Sequence, residues 1–336
     1  MPPHSLKIAA LPAAALVWLG SQGTRALAAL VFIGIALPPL GELLKPYVTE
    51  AIFLLLCISF LRVDLGVLRS YLRRPGLVLA ATAWTMLAVP LFLGAFCWLT
   101  GISVHSPDLY LALMLQALAS PMMAAPALAA VMGLDATLVL VTLVIGSCLI
   151  PLTAPLFAYV FLGSTLTLSP LALGVKLLAI LAGSLCIGTV IRWLAGSETI
   201  KQQARLIDGI NVVILFVFVS AVMGNVAGGF LAEPLRVLKL TALAFAVFFV
   251  LMGLTALVFR KSGYDRALAL GLMVSQRNMG LMLAATDGIL PGTTWLYFAL
   301  SQFPIYLTPQ LLKPLVRYVM ASKAPSTPPE TGMRQA

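Results

Sequence analysis

Apolar residues run along this chain in long stretches broken by short polar turns, and ten stretches are long enough to cross about 30 Å of hydrocarbon. They lie near 24–41, 45–63, 75–99, 107–131, 134–161, 170–194, 205–229, 235–259, 265–287 and 292–319. No period-two alternation is visible. A lipid-exposed span must satisfy its backbone hydrogen bonds internally, so the pattern predicts helices and argues against a barrel. The expected fold class is an all-α integral membrane protein with ten transmembrane helices.

The pattern also repeats. The fourth stretch opens Asp108-Leu109-Tyr110-Leu111-Ala112-Leu113-Met114-Leu115 and the ninth Asp265-Arg266-Ala267-Leu268-Ala269-Leu270-Gly271-Leu272, both reading D-x-x-L-A-L-x-L. Met122 and Met279 keep the same offset, and the preceding stretches each open on a proline, Pro75 and Pro234. Residues 24–161 and 170–319 then form two five-helix repeats, and an odd number of spans in each makes them run in opposite senses through the membrane. Asp108 and Asp265 sit where they can cap exposed helix N–H groups. Residues 1–23 are expected to form an interfacial helix, and 320–336, rich in Pro, Ser and Thr, a disordered cytoplasmic tail.

Each repeat has an interruption about 18–20 Å into its helix at ~1.5 Å per residue, slightly past the middle of the membrane. In the fourth stretch it is Ser120-Pro121-Met122-Met123-Ala124-Ala125-Pro126, where prolines remove backbone donors. In the ninth it is Ser275-Gln276-Arg277-Asn278. A charge at that depth costs roughly 2.5–3.5 kcal/mol even on insertion scales, which marks Arg277 as a site candidate. Two broken helices crossing there would offer freed carbonyls and positive half-helix N-termini to one point. With Arg277 added, the expected ligand is an anion, held by Arg277, Gln276, Asn278, Ser275, Ser120 and Gln116, with Pro121 and Pro126 shaping the break. The competing reading has Arg277 hydrogen-bonding the unwound backbone and locking the crossover. Asn211, Asn225, Gln302 and Thr85 read as interhelical hydrogen bonders, and Lys176 as a side chain snorkelling from a span end.

Composition agrees with a membrane protein: 61% of the 336 residues are apolar and 10% charged, outside the range of a soluble domain. The net charge of +10 is not gathered on a soluble module, which removes the reason to invoke nucleic acid. With both termini in the cytoplasm, 16 of the 21 Lys and Arg fall inside, 3 outside (Lys45, Arg236, Lys239) and 2 within spans (Lys176, Arg277), the positive-inside asymmetry of a multi-pass protein of the cell's inner membrane. The connection from Arg62 through Arg69 to Arg73-Arg74 carries four arginines against Asp64 and sets the orientation. Cys57, Cys97, Cys148 and Cys186 stand alone in apolar sequence, without disulfide or zinc spacing. Arg25 separates the apolar run at 8–20 from Ala26-Leu27-Ala28 and disfavours signal cleavage there. No metal, cofactor or catalytic dyad is indicated, so an enzyme is not expected.

These features together resemble the bile acid:sodium symporter family over roughly residues 24–319. The residues that carry the resemblance are Arg74-Pro75, Val89-Pro90, the Pro121 region followed by Gly133-Leu134-Asp135, and Gln276-Arg277-Asn278. The resemblance implies a core of spans three to five and eight to ten, a panel of spans one, two, six and seven, and a substrate cavity between them. Sodium-coupled members carry a glutamate and a glutamine in the ninth span where this chain has Met273 and Arg277. Their fourth-span Ser and Asn ligands are replaced by Pro126 and Ala127, and the third-span glutamine falls near Thr85. Repulsion between Arg277 and a sodium ion at ~4 Å would be about 4 kcal/mol at an effective dielectric of 20, enough to empty a millimolar site. The resemblance therefore implies a secondary transporter of a small organic anion with a degenerate or absent sodium site. A sodium-coupled symporter with non-standard ligands, or a non-transporting sensor or scaffold on the same fold, are the alternatives.

Overall fold

The computed structural model describes residues 4–22, 24–62, 75–163 and 168–323, and every regular element among them is a helix. Arg69, Arg73 and Arg74 of the basic connection, and the tail from 324 onward, lie outside the described residues. In order the helices are α1 His4–Ser21, α2 Thr24–Ala36, α3 Pro38–Leu61, α4 Pro75–Leu99, α5 Pro107–Leu118 and α6 Ala125–Met132. They continue as α7 Ala136–Leu162, α8 Pro170–Ala195, α9 Ala204–Ala232, α10 Pro234–Val258, α11 Tyr264–Ser275, α12 Met279–Ala285 and α13 Gly292–Lys323.

Six of these, α3, α4 and α7 to α10, are each long and apolar enough to cross a membrane. Their outward faces expose Trp98, Leu152, Tyr159, Leu171, Trp193 and Leu235, an apolar exterior that water would not tolerate and lipid solvates. The chain is a multi-pass helical membrane protein.

Prolines set many of the helix starts. Pro38, Pro107, Pro170 and Pro234 occupy the first turn of their helices, where the missing N–H would be unpaired in any case, and Pro75 begins α4. One boundary differs from the expected turn at 41–45. The break falls at Leu37, and from Pro38 the chain stays helical, tightening to a single 3-10 turn at Lys45–Tyr47. Gly41 lies against Gly224 of α9, where an added Cβ would come within 2.5 Å of the Gly224 Cα. Such close backbone approach drives helix association in lipid, where apolar side chains gain nothing by leaving the hydrocarbon.

The helices form two groups. In one, α1, α2 and α3 pack on α9, and α8 packs on α3. In the other, α4 to α7 pack with α10 to α13, the largest contact being between α10 and α11. The N-terminal segment, expected to be helical, is so from His4 to Ser21. It is α1, laid antiparallel on α9, with Gly20 against the Arg205 carbonyl and Leu16 against Gly209. The end of α1 therefore meets the start of α9, and its own start points toward the opposite end of that helix. Lys176 does not simply snorkel: it pairs with Asp287, tying α8 to the turn after α12. Asp287 has a φ of +53°, which its short polar side chain tolerates better than a branched one.

A further tie joins the start of α7 to α11. Asp135 caps α7 by accepting from Leu138 N at 2.9 Å, and its second oxygen meets Arg266 Nε at 3.4 Å. Asp135→Ala is expected to lower stability by about 1–2 kcal/mol, and Asp135→Asn, which keeps the cap, by less than half as much. Thermal unfolding of the two variants in one detergent checks the order.

Candidate functional site

The site begins where two helices stop. α5 ends at Leu118 and Ala119 turns extended, with ψ of 147°. Helix resumes at Ala125, with Pro126 in its first turn. α11 ends at Ser275, Gln276 leaves the helical region, and Asn278 caps α12 by accepting from Leu281 N at 3.2 Å. The two interruptions pair in antiparallel fashion about Pro121 and Arg277. Met122 N donates to Gln276 O and Asn278 N donates to Ser120 O, both at 2.7 Å. Pro121 has no N–H to offer, and its neighbours carry the pairing. Buried backbone with no water to solvate it is thus satisfied by the other interruption.

Arg277 completes this crossover. It is the largest fully buried side chain among the described residues, at 1% exposure. Nη1 donates to Ala119 O at 2.9 Å and Nη2 to Thr85 O at 3.2 Å. Each acceptor is an orphan for an identifiable reason. Ala119 O belongs to the end of α5, where helix carbonyls lack intrahelical donors. Thr85 lies in the stretch Trp84–Ala88, where α4 widens to a π-turn and Val89 N donates to Trp84 O. In that register the donor for Thr85 O would be Pro90, which has none. The guanidinium fills both vacancies. It also sits by the carbonyl ends of α5 and α11, the ends of a helix that favour a cation.

The competing reading of Arg277 thus fits the geometry, and the expectation that its donors are aimed at an anion is corrected to that extent. Its Nε is left without a partner. Ser275 Oγ donates back to Leu272 O, Gln276 Nε2 to Ile305 O at 3.4 Å, and Gln116 accepts from Tyr297 Oη at 2.7 Å. Gln116, Ser120, Pro121, Ser275 and Gln276 build the crossover and do not line a cavity described here. Pro126, Arg277 and Asn278 do.

That cavity, of about 360 Å³, lies between the two helix groups. α3 contributes Ile52, Leu56 and Ser59, with Arg62 just beyond its end, and α9 contributes Asn211, Leu215 and Phe218. The other wall holds Met122, Pro126, Ala127, Arg277, Asn278, Gln302 and Tyr306. Two guanidinium groups and several neutral hydrogen-bonding groups line it, and among the described residues no Asp or Glu does. Arg62, at the exposed end, is paired at 2.7 Å with Asp208, which is not part of the lining.

Sequence reasoning missed Ser59, Arg62, Asn211, Gln302 and Tyr306 as lining residues. Asn211 and Gln302 stood out as polar positions in apolar stretches, and Arg62 as part of the basic connection. Only tertiary packing turns all three toward one space. The residues at the positions where the resemblance would place sodium ligands do not suit that ion. Met273 is fully buried, Thr85 Oγ donates to Ala81 O, Thr85 O is taken by Arg277, and the only charge at the position is positive. In comparisons with known proteins, the chain matches no family model and no curated protein.

Proposed function

We propose that this protein is a secondary transporter that carries a small organic anion across the membrane by alternating access. It would do so on the ten-span, inverted-repeat architecture of the bile acid:sodium symporter family and without a sodium ion. The observation that carries this reading is a cavity with two guanidiniums and, among the described residues, no carboxylate in its lining, set between two helix groups and beside the crossing of two interrupted helices. Support for the inverted repeat comes from matching halves: α5 and α11 are both 12 residues long, and the hydrogen bonds 122 to 276 and 278 to 120 exchange symmetrically about the crossing.

In this reading Arg277 stands as a fixed cation where a relative would hold its coupling ion. Asn278, Gln302 and Tyr306 offer neutral hydrogen bonds, Leu56, Leu215 and Phe218 cover the apolar part of the solute, and Arg62, paired with Asp208, stands at the mouth. A low-dielectric site makes an unpaired anion attractive to such a set and unattractive to cations.

Proteoliposomes preloaded with unlabelled carboxylates and sulfonates test it. Labelled solute of the matching class should exchange, at the same rate whether sodium or potassium is the external cation. A flat response across the panel overturns transport, and if ligands nonetheless raise the unfolding temperature, the sensor reading takes its place.

A further inference from the structure

The geometry points to a second anion site at the other end of the same seam, with Lys45 as its cation. This inference rests on the transport reading for its ligand class, a small organic anion with an apolar body. A second cavity of about 290 Å³ is lined by Lys45, Asn225, Gly229, Gly288, Trp295 and Leu296, among others, and again by no Asp or Glu among the described residues.

The two cavities share their walls. Along α9, Asn211, Leu215 and Phe218 face the first, and Val222, Asn225, Val226 and Gly229 face the second. Along α13, Gln302, Ile305 and Tyr306 face the first, and Gly292, Trp295, Leu296 and Ala299 the second. Steps of three and four residues keep each set on one helix face. The cavities are therefore consecutive stations on one groove, separated by about one helical turn, ~5.4 Å. Near that turn the buried Phe218 and Phe298 join α9 to α13, edge to face with centroids 6.2 Å apart.

Lys45 supplies the recognition. Its Nζ sits 4.9 Å from the Trp295 ring centroid. A ring face holds an ammonium without consuming its three N–H donors, so the charge stays available to a carboxylate or sulfonate. Asn225 adds an amide at an exposed position, and Trp295 an apolar wall. The first cavity then holds the anion beside the Arg277 charge, the second receives it at an ammonium, and the phenylalanine pair lies near the turn between them.

The test uses the full chain carrying 5-fluorotryptophan, with the Trp295 resonance identified by its loss in Trp295→Phe. Titration with 4-nitrobenzoate should shift the Trp295 resonance saturably, and the neutral 4-nitrobenzamide should shift it little. Lys45→Gln should weaken the nitrobenzoate response about five- to tenfold, the loss of one charge-assisted contact at an exposed site, and Lys45→Arg should restore most of it. Equal responses to acid and amide, or a nitrobenzoate response indifferent to Lys45→Gln, overturn the site. Absence of exchange in proteoliposomes with an intact, Lys45-dependent Trp295 shift would remove the transport reading and keep this site. A flat Trp295 resonance with intact exchange would do the reverse.

Discussion

Arg277→Met should lower the unfolding midpoint by about 4 °C, corresponding to about 3 kcal/mol, and abolish anion exchange. Two terms oppose each other. Removing the guanidinium leaves Ala119 O and Thr85 O buried without donors, at about 1–3 kcal/mol each. It also relieves the cost of a cation in a dry interior, which for buried ion pairs can equal what the pair returns. The first term should prevail here, because neither acceptor has another helical donor to turn to: one follows the end of a helix, and the other stands five residues before a proline in a π-turn. Arg277→Lys keeps the charge but not the fork that reaches both carbonyls, and should fall between wild type and Arg277→Met. A midpoint for Arg277→Met at or above wild type would show that the buried charge outweighs its bonds. Differential scanning fluorimetry on the three proteins, without ligand, gives the answer.

The second large effect comes from a substitution that the repeat itself suggests. Gly271 occupies the position of Met114 in the shared D-x-x-L-A-L-x-L pattern, so Gly271→Met would make the two halves more alike. It should nevertheless destabilise the protein by about 2–3 kcal/mol. A Cβ at 271 would lie 2.7 Å from the Met252 carbonyl oxygen, a backbone atom of α10 that cannot swing aside. Relief requires α11 to move away from α10, and α11 ends at the crossover. Weakened ligand binding should therefore accompany the loss of stability, while Met114→Gly on the matching helix opens a void without pushing on backbone. Unfolding midpoints and ligand-induced shifts for both variants check the asymmetry, and a Gly271→Met protein that unfolds and binds like wild type would contradict it.

Much of the architecture could be read from spacing alone. Helix starts at Pro75, Pro107, Pro170 and Pro234, and interruptions at Ser120–Pro126 and Ser275–Asn278, announce themselves through residues whose local preferences are strong. The turn misplaced at 41–45 shows the limit. Gly41 and Glu42 look like a break, yet Gly41 serves close packing on α9, and only the partner helix reveals it. The same holds for α1, whose packing on α9 nothing in its own stretch announces. In the site, a charge in apolar sequence made Arg277 conspicuous, but its role depends on carbonyls from two other helices. That α4 frees a carbonyl could have been suspected from Val89-Pro90, although a regular helix would place it at Met86 and only the π-turn moves it to Thr85. Its meeting with Arg277 could not, because 192 residues separate the two.

That separation also bears on how the protein is made. Arg277 and the Ala119 carbonyl it satisfies lie 158 residues apart, so at about 5–20 residues per second the first interruption emerges roughly 8–30 s before its partner exists. During that interval Ser120 O and Met122 N have no crossover to bind. An insertion machinery that sheltered the half-made chain, or a polar stretch held near the headgroups until the second half arrived, would answer the same need. The crossover is therefore a late event in biogenesis, and truncations that end before Arg277 should leave the nascent chain in the hands of the quality-control proteases.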